Sequence, residues 1–551
     1  MYEEALPGAL PVKSQCLPFR QIPHTTPFFT DFLSWSPAVR PFYSRSPYFS
    51  EWFKEEASAL SYDLARREQV ADILERQNKV WGASAKTLEN IARLRRGAGA
   101  VVTGQQVGLF GGPLFSLFKA LSTVKLAQEA TGAGCDCVPV FWLATTDHDL
   151  AEINHVSVLA GDGSLQELSA ATRGASDAPV GKVVFGAEIE AVVKAAATSL
   201  GETEATTFLR DSYRPGENFG GAYARLFARL FADWGVVLLD ASDPELQRIA
   251  RPIYLEAIRR AADLDESLLS RGKELELAGY HQQVKVTPSS TLLFMLKDGA
   301  RTPVHLRSDG DAGESEFMVG EEKISQSELS ERISSQPQLF SANVLLRPVV
   351  QDYLLPTIAY VGGAAEVAYF AQGAVVYKAL LGRVTPILPR FSATILERKP
   401  QALLERYALS PSKVFEGPEI LRETLAEHTL PPDLQSAFEQ AEAALKKSMA
   451  AIQRPLELLD KTLVEAAANA GSKMQHQLEQ LRSRAARAEL RQSELLGRHA
   501  ELLSNALYPN KVLQEREVGG IYFVARSGTE LLRDLYDTIR IDCLDHQIIS
   551  L

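Results

Sequence analysis

Cysteine, methionine and tryptophan are scarce in this sequence, with four, five and five residues among 551. The four cysteines, Cys16, Cys135, Cys137 and Cys543, are too few and too scattered for a disulfide framework. Cys135 and Cys137 form C-x-C instead of C-x-x-C and no second pair accompanies them, which leaves free thiols as the plain reading and a metal site as its rival. Positive charge is also short. A net charge of −11 argues against a nucleic-acid surface, while a local basic pocket for a small anion is compatible with it. No apolar run is long enough to cross a bilayer, and the opening MYEEALPGALPVKSQ lacks a basic flank followed by an apolar core. A cytoplasmic protein without a membrane partner is the expectation.

What the sequence does have is length and apolar content. Hydrophobic residues make up 46% of the chain, which excludes a disordered polymer, and 551 residues exceed a typical single domain. Residues 1–95 read as a helical segment packed on a core, after a lead-in rich in proline and aromatics. The core is expected over 96–395, interrupted near 161–215 and 265–340 by stretches that include short alternating runs such as HQQVKVT and TLLFML. These predict insertions or small β-containing subdomains. Over 436–507 Ala, Leu, Glu, Gln, Lys and Arg dominate, and Leu445, Met449, Ile452, Leu456, Leu459 and Leu463 alternate steps of four and three. That is coiled-coil spacing, so 396–507 is assigned as a C-terminal helical coiled-coil module and 508–551 as a segment returning to the core. Pro455 and the NAGS stretch at 469–472 are its candidate break points. A self-packing antiparallel hairpin and a dimer seam both satisfy the pattern.

Within the core the order is strand, glycine turn, helix, strand. Ala98 to Val102 is small and β-branched, Leu114, Leu117, Leu121 and Val124 recur at helical spacing, and a second buried strand runs from Val138 to Thr145. This βαβ order predicts an α/β fold with a parallel sheet, continued by the strand WGVVLLDAS at 234–242 and a helix over roughly 243–263. The connecting turn holds Thr103, Gly104, Gln105, Gln106, Gly111 and Gly112, with Pro113 suited to the first helical turn. The amides of such a helix end favour an anion. Neither the Walker lysine–serine pair nor the dinucleotide glycine spacing is present, so a structural turn stays open beside a binding loop. Lys119 either reaches the cleft or covers the helix surface.

Three further stretches can carry chemistry. FWLATTDHDLAEINHV places Asp147, His148 and Asp149 beyond the end of the second strand, where ligands gather in open α/β sheets, with Asn154 and His155 following. These residues can orient an amine or move a proton, and Asp147 or Asp149 can instead cap a turn. If the segment is helical, His148, Glu152 and His155 share a face at metal-ligand spacing. In LLRPVVQDYLLPTIAYVGGAAEVAYF, Arg347, Gln351 and Asp352 precede the Gly362–Gly363 turn, and Glu366 and Tyr369 lie on the next helix. An anion site is one reading, and a structural Arg347–Asp352 or Arg347–Glu366 pair is the other, because a buried arginine is expensive unless paired. Finally, PILPRFSATILE puts Arg390 and Ser392 in a loop that could clamp developing charge.

Taken in order, VVTGQQVGLFGGPLFSLFKALSTVKLA, VPVFWLATTDHDLAEINHV, NVLLRPVVQDYLLPTIAYVGGAAEVAYFAQ, PILPRFSATILE and LYPNKVLQERE resemble the bacillithiol biosynthesis cysteine-adding enzymes, over residues 98–516. The resemblance implies a Rossmann-like, nucleotidyltransferase-like core, two connecting inserts and a coiled coil that forms a homodimer. It also implies a ligase that joins L-cysteine, through its carboxyl group, to the amine of glucosaminyl-malate. Such an amide needs an activated carboxylate, for which ATP with magnesium is the simplest source, and no tightly bound cofactor or metal is expected. The synthetase-type histidine pair and lysine-rich signature are absent, GGPLFSLFK and PRFSAT standing at their places. Two other classes stay open: a metal-dependent hydrolase of a sugar-linked amide using His148, Glu152 and His155, and a non-enzymatic coiled-coil scaffold.

Overall fold

Gly99–Gln105 (β1) is buried along its whole length apart from the half-exposed Gln105, and Cys137–Leu143 (β2) is buried throughout. Near-continuous apolar strands of this kind belong to a parallel sheet covered on both faces. Val237–Asp240 (β3), Thr357–Gly362 (β4) and Ile387–Pro389 (β5) complete it. The order is β5-β4-β1-β2-β3 and every pairing is parallel. The chain therefore steps outward from β1 through β2 to β3, then returns to the other side of β1 for β4. The order reverses between β1 and β4, and a crevice opens beyond their carboxyl ends. The computed structural model describes residues 13–172, 178–307, 315–427, 430–492 and 494–551.

Phe115–Gly132 (α1) carries the crossover from β1 to β2 and is buried on most of its circumference. Pro113 stands before this helix, not within its first turn, and bridges Gly519. The Leu114 amide donates to the Val518 carbonyl at 2.9 Å and the Gly520 amide to the Gly112 carbonyl at 3.1 Å, so the chain itself covers the helix end assigned to an anion. Gly111 and Gly112 face the protein. Gly111 has φ +90, its amide donates to the Tyr213 hydroxyl at 3.2 Å, and a Cβ there would press on Leu226 and Phe227. The double glycine is a packed turn.

By compactness the chain divides into two units. The first comprises Met1–Ala160, Gln166–Thr394 and Glu515–Ile549. Its early part is mainly helical but includes a strand, Lys13–Leu17, that periodicity did not reveal. The expected β-containing stretch near 161–215 supplies one strand, Leu165–Ser169, and then the helices Ile189–Leu200 and Glu204–Ser212. The stretch near 265–340 does contain a five-stranded antiparallel sheet, in which TLLFML is part of Ser290–Lys297 while HQQVKVT forms no strand. Two more helices matter for the crevice, Arg347–Leu354 (α2) and Ala364–Leu381 (α3).

The second unit comprises Gly161–Leu165, Ile395–Gln514 and Ser550–Leu551. Its long helices are Pro432–Leu459 (α4) and Thr462–Gln492 (α5). They pack as an antiparallel hairpin, with Glu442 near Arg482 and Met449 against Gly471. The break falls at Asp460–Lys461, where the Asp460 carboxylate accepts the Thr462 amide at 2.8 Å. Helix continues through both Pro455 and 469–472, the two positions expected to interrupt it.

In the first unit residues 546–549 lie beside Lys13–Leu17 and the strand that begins at Ala393. His546 is fully buried, and its ring sits between Ser392 Oγ at 2.8 Å and Thr394 Oγ1 at 2.9 Å. Ser392 donates its one proton to Glu515 at 2.9 Å. It must then accept from Nδ1 of His546, which leaves Nε2 to accept from Thr394, the pattern of a neutral ring. Burial lowers the His546 pKa from 6.5 to about 4, opposed by Glu515 and reinforced by Arg390. The unfolded chain therefore takes up this proton first on acidification. The stability this neutral ring contributes is complete above pH 6.5 and falls as the pH drops from 6.5 toward 4, by about 3 kcal/mol. Urea titrations across that window should show this acid loss, with a smaller loss in His546→Asn; an identical loss in both proteins would contradict the assignment.

Candidate active site

Gly104 needs no side chain where β1 ends, because a Cβ would lie 3.3 Å from both Trp142 and the Tyr360 hydroxyl. Beyond it the carboxyl ends of β1 and β4, α1, α3 and the antiparallel sheet enclose a cleft of about 630 Å³. Of the residues singled out from sequence, Gly104, Gln105, Gln106, Lys119, Asp147, Glu152, Arg347, Gly363, Glu366, Tyr369 and Arg390 line it.

Lys119 is 2% exposed, yet its position five residues into α1 lets a side chain tilted toward the helix N-terminus reach the end of β1. Its ammonium donates to the Gly104 carbonyl at 2.7 Å and to Gln105 Oε1 at 2.9 Å, and pairs with Glu366 at 2.5 Å. Three acceptors match its three protons. Burial lowers the Lys119 pKa to about 8, with Glu366 opposing and Arg390 and Arg347 adding to the fall. Burial also penalises the Glu366 charge, but Lys119, the Gly363 amide and the Tyr360 hydroxyl hold its pKa below the ordinary value. Glu366 accepts from that amide and that hydroxyl at 2.7 Å each, capping the first turn of α3.

Arg347 is neutralised indirectly. Its guanidinium donates to Gln351 at 3.1 Å, to the Tyr360 hydroxyl at 3.2 Å and to the Tyr369 hydroxyl at 3.1 Å, and lies over the Trp142 ring. Tyr360 passes the contact on to Glu366. The direct Arg347–Asp352 and Arg347–Glu366 pairs expected as alternatives are not formed. Asp352 instead accepts from Gln351 at 3.0 Å and from Tyr377 at 2.6 Å, out of the cleft. Arg390 is not in an open surface loop either. Its side chain is 7% exposed and pairs with the 1% exposed Glu515 at 2.6 Å. Ser392 joins Glu515 behind the wall, Gly362 accepts the Arg390 amide, and Thr103 ties β1 to β4 by donating to the Val361 carbonyl.

Carboxylates also line the cleft. Gln106 donates to Asp147 at 2.9 Å and to Glu152 at 2.6 Å, which presents both carboxylates together. Asp149 caps the four-residue helix Leu150–Ile153 by accepting the Glu152 amide. That helix is too short to align His148, Glu152 and His155. His148 precedes it and His155 opens the strand His155–Leu159, with its ring toward Asn154. The geometry required by the hydrolase reading is therefore missing. No group of three or more His, Cys, Asp or Glu side chains is arranged to hold a metal among the described residues. His148 sits outside the lining, its Nδ1 3.1 Å from Arg301, which as a donor makes that nitrogen an acceptor.

Arg301 was not foreseen. It comes from the antiparallel sheet, stacks 3.9 Å from the Phe294 ring and donates to the Ala342 carbonyl at 2.7 Å, close to Asp147. Nothing local in KDGARTP marks it, since the hairpin must fold before the residue reaches the cleft. Arg516, within the quoted LYPNKVLQERE, was also passed over. It is exposed at the cleft and has no hydrogen-bonding partner among the described residues. The cleft still withdraws its guanidinium from part of the solvent, and this desolvation with neighbouring Arg390 lowers its pKa, against Glu515, Glu152 and Glu366. The lining thus sets Lys119, Arg301, Arg347, Arg390 and Arg516 against Asp147, Glu152 and Glu366.

This cleft lies in a chain that matches known proteins along nearly all of its length. Residues 12–391 match the description "Bacillithiol biosynthesis BshC, N-terminal Rossmann-like domain", and residues 393–551 match "Bacillithiol biosynthesis BshC, C-terminal coiled-coil domain". The chain belongs to the BshC family. A relative from Koribacter versatilis, named "Putative cysteine ligase BshC", is 49% identical over 97% of this chain and 99% of its own length. Relatives of the same name from Solibacter usitatus and Geobacillus thermodenitrificans are 35% and 31% identical, covering 97% and 93% of this chain and 99% and 96% of their own lengths. In this BshC chain the cleft draws Arg516, and its supports Glu515 and His546, from the region matched as the coiled-coil domain. No helix among the described residues is long and apolar enough to cross a membrane.

The Lys119–Glu366 pair gives a direct stability test. Glu366→Gln strands a buried ammonium and should cost about 3–5 kcal/mol in urea unfolding. Combining it with Lys119→Met should cost less than the sum of the single changes. Strict additivity would show that the two side chains do not interact.

Proposed function

We propose that the protein joins the carboxyl group of L-cysteine to the amine of glucosaminyl-malate, forming an amide. The observation that carries this reading is that one cleft holds both signs of charge: Arg390 and Arg516 line it together with Asp147 and Glu152, which Gln106 holds. A substrate that carries both carboxylates and an ammonium fits that lining. Arg516 is assigned to the malyl carboxylates because its guanidinium is not engaged by a hydrogen bond among the described residues. Asp147 is assigned to the amine, and it takes the proton that must leave before nitrogen can attack. His148 positions Arg301 from behind and is not the base.

In the bond-forming step the amine nitrogen attacks the activated cysteine carbonyl carbon, the C–N bond forms, and the activating group departs with its electron pair. ATP with magnesium is the activator we propose, supplying an acyl-adenylate or acyl-phosphate; the cationic lining suits its phosphates. Incubation with cysteine and glucosaminyl-malate should yield the cysteinyl amide, detected by mass, only when ATP and magnesium are present. Arg516→Ala should raise KM for glucosaminyl-malate about 10-fold or more. Absence of product under every condition would overturn the ligase reading, and an unchanged KM would remove Arg516 from it.

We also propose a cytoplasmic homodimer formed through the α4–α5 hairpin. Leu445, Met449, Leu456, Leu463 and Leu478 are only half-buried in one chain, and Ile452, Met474 and Leu481 are exposed. A second hairpin would cover this seam. Sedimentation of the full-length protein should give twice the chain mass, and Ile452→Glu with Leu481→Glu should return it to the monomer; a monomeric parent protein would refute the proposal.

A further inference from the structure

Two cysteines from opposite ends of the sequence meet. The sulfurs of Cys16 and Cys543 are 2.8 Å apart as free thiols, where a disulfide bond is about 2.05 Å. Cys16 lies in Lys13–Leu17, the strand paired with His546–Ser550, and Cys543 lies just before that partner strand. The approach is held nearby by a second link, in which the Phe19 amide donates to Asp545 at 3.2 Å. Cys16 is exposed and Cys543 partly so. The other two cysteines differ: burial pushes the Cys137 thiol up to about 12, and neither it nor Cys135 makes a thiol contact of this kind.

We propose that Cys16 and Cys543 form a thiol–disulfide exchange site for low-molecular-weight disulfides, leaving an intramolecular Cys16–Cys543 disulfide. The order of events follows from access. Cys16, ionised by loss of its proton, attacks one sulfur of the incoming disulfide RSSR; the S–S bond breaks and the first RS⁻ leaves and is protonated. Cys543 then loses its proton, attacks the Cys16 sulfur of the mixed disulfide and expels the second RS⁻. Two protein thiols are oxidised and one RSSR is reduced to two RSH. Burial pushes the Cys543 thiol up to about 11, with the Cys16 contact adding to the rise, which keeps it protonated until a mixed disulfide stands beside it. Cys543 and Arg390 border the same small cavity, so the exchange takes place directly behind the cationic wall of the cleft.

The test uses the reduced full-length protein, freed of reductant and incubated with cystine or with bis(hydroxyethyl) disulfide. Thiols titrated after denaturation should fall from four to two, and peptide mapping without reduction should recover one cross-link, joining the Cys16 and Cys543 peptides within a single chain. Cys16→Ser should abolish the cross-link, and Cys543→Ser should trap the small thiol on Cys16. Cys135→Ser should leave the cross-link intact. Retention of all four thiols, a cross-link that uses Cys135 or Cys137, or a bond between two chains would overturn the proposal. If either serine variant fails to fold, the map of the parent protein decides by itself.

Discussion

Lys119 holds a positive charge at a depth that almost no solvent reaches, and the cleft is organised around the neutralisation of that charge. An isolated ammonium there would be prohibitively costly. The Gly104 carbonyl, Gln105 and Glu366 surround it, fixed by two elements: the end of β1 for the first two and the first turn of α3 for the third. Glu366 in turn receives the Gly363 amide and the Tyr360 hydroxyl, and Tyr360 receives Arg347. One buried cation thus fixes the separation of β1 and β4 at the point where the sheet reverses order, and sets the position of the arginine beside them.

The distribution of charge follows a related economy. The chain carries a net −11, while its cleft is lined by more cations than carboxylates. Each arginine is handled differently. Arg390 has a buried carboxylate, Arg347 has two phenols and an amide, and Arg301 has a carbonyl, a serine and an imidazole nitrogen. The first two are rigid fixtures of the wall, whereas Arg516 stays available. An acidic exterior around a cationic recess also focuses field lines inward, which aids capture of a small anion and discourages adsorption of larger polyanions.

The strand–turn–helix core was legible because each element has a local signature: small and β-branched residues before the turn, and Leu114, Leu117, Leu121 and Val124 at helical spacing after it. The coiled-coil spacing was equally local. Features that depend on three-dimensional return of the chain were not legible. The Leu114 amide at the start of α1 is taken by the Val518 carbonyl, some four hundred positions later, so local sequence could not show that the chain itself occupies the place expected for an anion. His148 and His155 share a face only if a helix continues between them, and the segment forms a single turn before entering a strand. Helix α4 runs on through Pro455, and Asp460 supplies the capping side chain the true turn needs. Arg301 and Arg516 lay in stretches whose local pattern says only hairpin or loop.

The support of Arg390 has a consequence for the order in which the protein comes into being. Glu515, Arg516 and His546 are synthesised after β1 and β4 are complete. A nascent chain can therefore assemble the parallel sheet and still hold Arg390 beside an empty place where its carboxylate belongs. The wall of the recess is finished only when this later segment has emerged and docked. A parallel sheet formed before that point is a scaffold that lacks one wall.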